Sequence, residues 1–373
     1  MSSIGSSSPQ APRPTISAQA FKERFGAQAM SVTELSQAKR TQTLDAAQAD
    51  LNGDGMIQGE AEAATLFRQL SGGADSLVLD DPKSTSAQAI KALDNFTSVS
   101  KNPPPGQVGH DPFEPDHRIA SGNYQGEPIN FDKRRSVVKL SPIEAEQYGV
   151  QPGELAFANY GHDGKHWVAI VPDDAVEKAS IMMEYFPAPI PAGHSMLRFH
   201  LKEGKQARLV PQTLGSTDES VKLNDLVLSV EAAGPRNFEY DLLEGAGSHY
   251  GIVYSFESLS DRALHTQRNG NSVKQMPLKL SNDQLQKILY EAVHTADRAR
   301  PDEMYNTLTK NCVNETFHII DRGIGQNVSP QVHMARLLTA ENLPPLTEYY
   351  MSIRGIRDDS HTMDDLAVEL GMD

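Results

Sequence analysis

Between about residues 135 and 280 the chain alternates short apolar runs with turns rich in Gly, Pro, Asp and Asn. The runs read SVVKL, ELAFANY, HWVAIV, MLRFHL, LVLSVEA, YGIVYSF and VKQMPLKL. Runs of this length between turn formers predict antiparallel β-strands. The period then changes. Ser281 and Gln284 stand at capping-box spacing, and Leu285, Ile288, Leu289, Ala292 and Val293 recur on one helical face, which predicts a helix packed on the sheet. A second helix is expected to open at Cys312 with Asn311 as its N-cap, to carry Val313, Phe317 and Ile320, and to stop at Gly323 and Gly325. Upstream, residues 17–75 are rich in Ala, Gln, Leu and Glu at helical spacing, interrupted between Asp50 and Gly55.

These patterns predict an α+β protein in which an antiparallel sheet packs on helices, preceded by a small helical module. The expected divisions are a disordered start over 1–16, the helical module over 17–75, and a linker over 76–108 that ends in Pro103-Pro104-Pro105-Gly106. A β-rich region over 109–235, a mixed core over 236–330 and a helical acidic tail over 331–373 follow.

Composition narrows the function classes. Forty-nine acidic residues against 34 basic ones give a net charge of -15, a field that opposes a phosphate backbone, so nucleic acid is not an expected partner. No apolar run nears the ~20 residues of a membrane-spanning helix, so no membrane span is expected. The opening MSSIGSSSPQAPRPT has no apolar stretch of the signal-peptide kind. Ser-rich openings of this sort resemble translocation signals of specialised bacterial secretion systems. Export as an effector, with a secretion chaperone and a host or bacterial target as partners, is one expectation, and a cytoplasmic location is the other. A single cysteine excludes an internal disulfide and a thiolate-rich zinc site.

Asp50, Asn52, Asp54, Met56 and Gln58 occupy positions one, three, five, seven and nine of a loop with Gly55 at six and Ile57 at eight. Hard Ca²⁺ takes six to eight oxygens, and this spacing resembles an EF-hand loop. Side-chain oxygens of Asp50, Asn52, Asp54 and Gln58 and the carbonyl of Met56 are its expected ligands. Position twelve is Ala61, so the usual bidentate Glu is missing, with Glu60 and Glu62 on either side. One such loop is present, which favours a structural calcium clip over a sensor.

The lone cysteine lies in YNTLTKNC at the expected helix start. There, unpaired backbone N–H groups and the helix dipole favour a thiolate and can receive a developing oxyanion. A nucleophilic thiol needs a base. His249 stands at the start of HYGIVY, and His265 follows in ALHTQ, read as a further strand, where it could orient the first ring. The order His, His, Cys, with these motifs, resembles the circularly permuted papain-like fold of the NlpC/P60 superfamily, in its lecithin-retinol-acyltransferase-like and DUF4105-like branches. The resemblance covers roughly residues 230–330. It implies a papain-like catalytic core over 236–330, with Cys312 as nucleophile, His249 as base and His265 as the polar third member. His166 in HWVAIV is the competing base, at a longer separation from Cys312.

The expected activity is a thiol-dependent hydrolase or acyltransferase acting on an amide, ester or thioester. Two alternatives stand beside it. One is a non-enzymatic, calcium-stabilised interaction protein. The other is a metallohydrolase using His110-Asp111, Asp116-His117 or His162-Asp163 with His166, although no HExxH motif accompanies them.

Overall fold

The computed structural model describes residues 15–26, 30–37, 44–79, 84–93, 103, 105–131, 134–186, 193–235, 240–297, 302–325, 344–358 and 366–370. The chain divides into two compact units, residues 1–101 with 236–239, and residues 102–235 with 240–373.

The first unit opens with β1 (Thr15–Ser17), α1 (Ala18–Phe25), β2 (Met30–Ser31) and α2 (Val32–Gln37). It continues through α3 (Ala46–Ala49), β3 (Met56–Ile57), α4 (Gly59–Ser71), β4 (Ser76–Val78) and α5 (Thr85–Leu93). Two helix–strand–helix segments face each other. Met30 pairs with Ile57 and Ser31 with Met56, and the Gly59 N–H donates to the Gly26 carbonyl at 2.8 Å. The loop after Asp50 therefore has a partner segment, one with no carboxylate between Gly26 and Ser31. Phe21, Phe25, Leu35, Ile57, Leu66 and Phe67 fill the core between them. The expected linker does not hold over its first half, because β4 pairs with β1, while Ile90 and Leu93 of α5 join the same core. The expected disordered start lies outside the described residues as far as residue 14, and Thr15 and Ile16 already belong to β1.

The second unit is built on one large sheet. Its strands are β5 (Val138–Lys139), β6 (Leu155–His162), β7 (Lys165–Val171), β8 (Val176–Tyr185), β9 (Gly193–Leu201) and β10 (Ala207–Pro211). They continue with β11 (Val221–Leu223), β12 (Asp225–Ala233), β13 (Tyr250–Glu257), β14 (Ser272–Pro277) and β15 (Met304–Tyr305). The order across the sheet is β11-β10-β7-β6-β13-β12-β9-β8-β14, with β5 on β6 and β15 on β13. All the pairings are antiparallel except a short parallel contact of β13 with β6. The helices are α6 (Pro142–Gln147), α7 (Leu242–Ala246), α8 (Leu259–Asn269), α9 (Asn282–Asp297), α10 (Cys312–Gly323), α11 (Pro344–Ile353) and α12 (Leu366–Glu369). The fold is α+β, as the pattern predicts. Strands from the expected β-rich region and the expected core share this sheet, so 109–235 and 236–330 are not separate bodies.

Successive strand side chains point to opposite faces. On one face Met182, Met196 and Val227 pack with Leu259 and Ala263 of α8 and Leu366 of α12. Leu197 and Phe199, at the intervening positions of β9, are also fully buried. Both faces being covered explains why these strands read as nearly continuous apolar runs rather than strict alternations. The Ser281 helix forms as expected: the Ser281 N–H donates to Gln284 Oε1 at 3.0 Å, and α9 buries Leu285, Ile288, Leu289, Ala292 and Val293. ALHTQ, read as a strand, is helix instead. Ser258 caps α8 by accepting from the Asp261 N–H at 3.3 Å, and Gly270 ends it in the left-handed region.

Candidate active site

The site begins with the cap of α10. Asn311 Oδ1 accepts from the N–H groups of Val313 and Asn314, both at 2.9 Å, while Asn311 Nδ2 donates to the Thr307 carbonyl at 2.7 Å. Asn306 stiffens the preceding turn by accepting from the N–H groups of Leu308 and Thr309. Cys312, the first residue of the helix, is thereby fixed and is buried, only 5% exposed. Because Asn311 occupies the next two N–H groups, the Cys312 N–H is the donor left beside the sulfur at this helix end.

The histidine that meets this sulfur is His194. It stands at the start of β9, whose register against β12 runs from Asp225↔His200 to Ser229↔Met196. Continued by two residues, that register sets His194 opposite Glu231. His194 Nε2 lies 2.6 Å from Ser229 Oγ and 3.2 Å from Glu231 Oε1, and Ser229 donates to the same Oε1 at 2.6 Å. Cys312 is hydrogen-bonded to His194 and receives the Ser195 backbone N–H. With Nε2 engaged by Ser229 and Glu231, Nδ1 is the nitrogen left for the sulfur.

Burial opposes charge on both partners, yet their proximity overcomes it. The thiol of Cys312 is pulled below its ordinary range by the His194 charge and hydrogen bond and by the Ser195 N–H. Burial would lower His194, but Glu231 and then the Cys312 sulfur raise it to about 10. Glu231 is held well below the carboxylate range, against its own burial, by Arg134, His194 and Arg262. Arg262 of α8 is 1% exposed and ties three strands together through Glu257 at 2.6 Å, Glu231 at 2.8 Å and Glu184 at 3.5 Å. Burial and then the Cys312 charge push the Tyr305 hydroxyl up, and this hydroxyl is hydrogen-bonded to Tyr240.

A family model described as the Lnb N-terminal periplasmic domain matches residues 164–350, a little over half of the 373 residues. The chain belongs to the Lnb N-terminal periplasmic domain family. The Lnb segment contains His194, Ser229, Glu231, Arg262 and Cys312, and leaves out the Asp50 loop. No curated protein and no solved structure matches the chain.

Of the three residues expected to form the site, the structure brings only Cys312 to His194 and Glu231. His249 lies one residue before β13, and its Nδ1 accepts from the Asn123 N–H at 3.2 Å. Its ring is wedged between Gly122 and Gly247. His265 does not orient His249. It sits on α8 with Nε2 3.3 Å from Arg134 Nη2, and Arg134 Nη1 pairs with Glu231 Oε2 at 3.2 Å. Although one edge reaches solvent, burial and then Arg134 and Arg262 push its pKa down and keep it neutral. His166 is likewise pushed down to about 3 by burial and Arg135, with Asp111 opposing.

Sequence reasoning missed His194 and Glu231. The available signal was Ser229 and Glu231 at alternate positions of LVLSVEA, a polar pair directed to one face of an apolar strand.

Two of the residues offered for a metallohydrolase, Asp111 and His117, are engaged elsewhere. Asp111 accepts from Arg135 Nη1 at 2.5 Å and from Gln212 Nε2 at 2.9 Å, and the His117 ring packs edge-on against Phe131. Among the described residues no group of three or more His, Cys, Asp or Glu is arranged to hold a metal.

The same statement includes the Asp50 loop, where the carboxylates turn onto the loop's own backbone. Asp50 accepts from the N–H groups of Gly53 and Gly55, both at 2.8 Å, and Asp54 Oδ1 accepts from Met56 at 2.9 Å. Gln58 donates to Asp54 Oδ2 at 3.2 Å, and its own N–H donates to Glu62. Glu62, not Glu60 or Ala61, turns inward: Oε1 accepts from Leu51 at 2.9 Å and Oε2 from Gln58 at 2.8 Å. Gly59, with φ +81, supplies the backbone bend that shifts the inward position from 61 to 62. Were the loop to hold a cation, Asp50, Asn52, Asp54 and Glu62 would offer it oxygen atoms alone, the donor type of a hard cation.

Proposed function

We propose that this protein is a thiol-dependent hydrolase or acyltransferase acting on an amide, ester or thioester, with Cys312 as nucleophile, His194 as its acid-base partner and Glu231 as the carboxylate that sustains the His194 charge. The hydrogen-bonded Cys312–His194 pair at the capped start of α10 carries this reading. The thiolate attacks the carbonyl carbon, the Cys312 N–H is a donor for the oxyanion, and His194 gives its Nδ1 proton to the departing amine, alcohol or thiol. Water or another nucleophile, deprotonated by His194, then releases the acyl group from sulfur.

Iodoacetamide alkylation at pH 6 tests the nucleophile. Native Cys312 is expected to react roughly tenfold or more faster than in the denatured chain; equal rates would overturn the reading. Incubation with an activated acyl ester is expected to add one acyl mass to the parent and none to Cys312→Ala.

A calcium role for the first unit is a second proposal, supported by Glu62 facing the loop in place of the missing position-twelve ligand. Export is a third, supported by the periplasmic description of the family. Among the described residues no helix is long and apolar enough to cross a membrane. Fractionation of the producing cell tests export directly, and recovery in the cytoplasm alone would count against it.

A further inference from the structure

We infer that Ser229 and Arg262 are positioning residues that fix the ring orientation and proton placement of His194, so that the third member of the site is a Ser229–Glu231 unit locked by Arg262. This rests on the Cys312–His194 reading above.

Hydrogen-bond direction fixes the arrangement. Arginine can only donate. Arg262 Nη2 lies 3.1 Å from Ser229 Oγ and 2.8 Å from Glu231 Oε1, so both oxygens accept from the same nitrogen. Ser229 has one proton, and its 2.6 Å contact with the Glu231 carboxylate, which can only accept, uses it. The 2.6 Å contact of His194 Nε2 with Ser229 Oγ must then have His194 as donor. Protons therefore run in one direction, from His194 Nε2 to Ser229 and from Ser229 to Glu231. Nε2 stays protonated, and Nδ1 is the nitrogen that exchanges a proton with Cys312. A neutral histidine with its proton on Nδ1 would leave Nε2 as an acceptor facing an oxygen that has no proton to offer.

The groups around this chain favour the same arrangement. Glu184 comes from β8, Glu231 from β12 and Glu257 from the end of β13, with Arg262 from α8, Arg134 on the solvent side and Cys312 from α10. Arg262 is fully buried among three carboxylates, so its removal frees Glu231 and Ser229 together. Ser229 is 1% exposed, and among the described residues its hydroxyl meets His194, Glu231 and Arg262 alone, apart from the Ser255 hydroxyl on its backbone carbonyl.

The test measures Cys312 alkylation against pH in the full chain for Ser229→Ala, Arg262→Met and Arg262→Lys, alongside ¹⁵N signals of the His194 ring. Ser229→Ala, a small change expected to fold, should slow alkylation at pH 6 roughly tenfold and move its acid inflection toward that of an ordinary thiol. Arg262→Met should do the same or more, and Arg262→Lys should recover part of the loss. In Cys312→Ala, the neutral His194 ring should carry its proton on Nε2 in the Ser229 background and become a tautomer mixture with Ser229→Ala. A folded Ser229→Ala with the parent profile and parent tautomer overturns the inference, even if Arg262→Met fails to fold. Failure of the underlying reading is distinguishable, because there the parent Cys312 itself would react no faster than the denatured chain.

Discussion

His194 Nε2 and Glu231 Oε1 stand 3.2 Å apart on neighbouring strands, each keeping the other charged in a buried setting. Replacing one member of such a pair leaves the other desolvated without its counter-charge, which costs on the order of 3 kcal/mol. Glu231→Gln is thus expected to lower the melting temperature and to slow Cys312 alkylation at pH 6 by roughly tenfold. A parent-like profile in Glu231→Gln would show that the carboxylate does not sustain the histidine charge. The sign of its pH dependence follows from its depressed pKa. Glu231 contributes stability above the ordinary carboxylate range, and that contribution is lost as pH falls through its lower folded value.

The Cys312–His194 pair predicts a two-step pH profile. Alkylation should rise as pH passes the lowered pKa of Cys312, hold level while thiolate and imidazolium coexist, and change again near about 10, where His194 loses its proton. His194→Ala should leave a single inflection in the ordinary thiol range. Stopped-flow alkylation between pH 4 and 11 reads this, and an unchanged profile in His194→Ala would remove His194 from the site.

The other histidines give the converse expectation. His249→Ala and His166→Ala should alkylate at pH 6 within about twofold of the parent, since neither ring is bonded to the sulfur. A tenfold loss in His249→Ala without loss of melting temperature would return that residue to the site.

The cap of α10 can be tested apart from the chemistry. Asn311→Ala should cost about 1 kcal/mol, because two N–H groups lose their acceptor. Urea unfolding measures it, and an unchanged midpoint at unchanged slope would dismiss the cap.

The helix that presents Cys312 was legible because its cap, stripe and stop are all local signals. The base was not. His249 is the nearer histidine along the chain, but β9 and β12 are neighbours in the sheet, and their register, which is non-local, brings His194 to Ser229 and Glu231. His194 also follows the proline-rich segment PAPIPAG, so the run MLRFHL marked the strand two residues too late to include it. His265 marked the right neighbourhood for the wrong reason: it touches Arg134, which pairs with Glu231. At the Asp50 loop, counting positions led to Ala61, whereas the bend at Gly59 turns Glu62 inward.

That bend carries the last prediction. If the oxygens of Asp50, Asn52, Asp54 and Glu62 turn from the loop's N–H groups to a cation, millimolar CaCl₂ should raise the melting temperature of the first unit, by mass action on the folded state. Asp50→Ala and Glu62→Gln should each abolish the rise. The two variants differ without calcium. Glu62 is 4% exposed and holds N–H groups of Leu51, Asn52 and Gln58, so Glu62→Gln, which puts a donor where an acceptor is needed, should also lower the calcium-free midpoint. Differential scanning calorimetry with EGTA and with CaCl₂ separates the two effects. A parent midpoint that calcium leaves unmoved would mean that Glu62 closes the loop through backbone bonds alone.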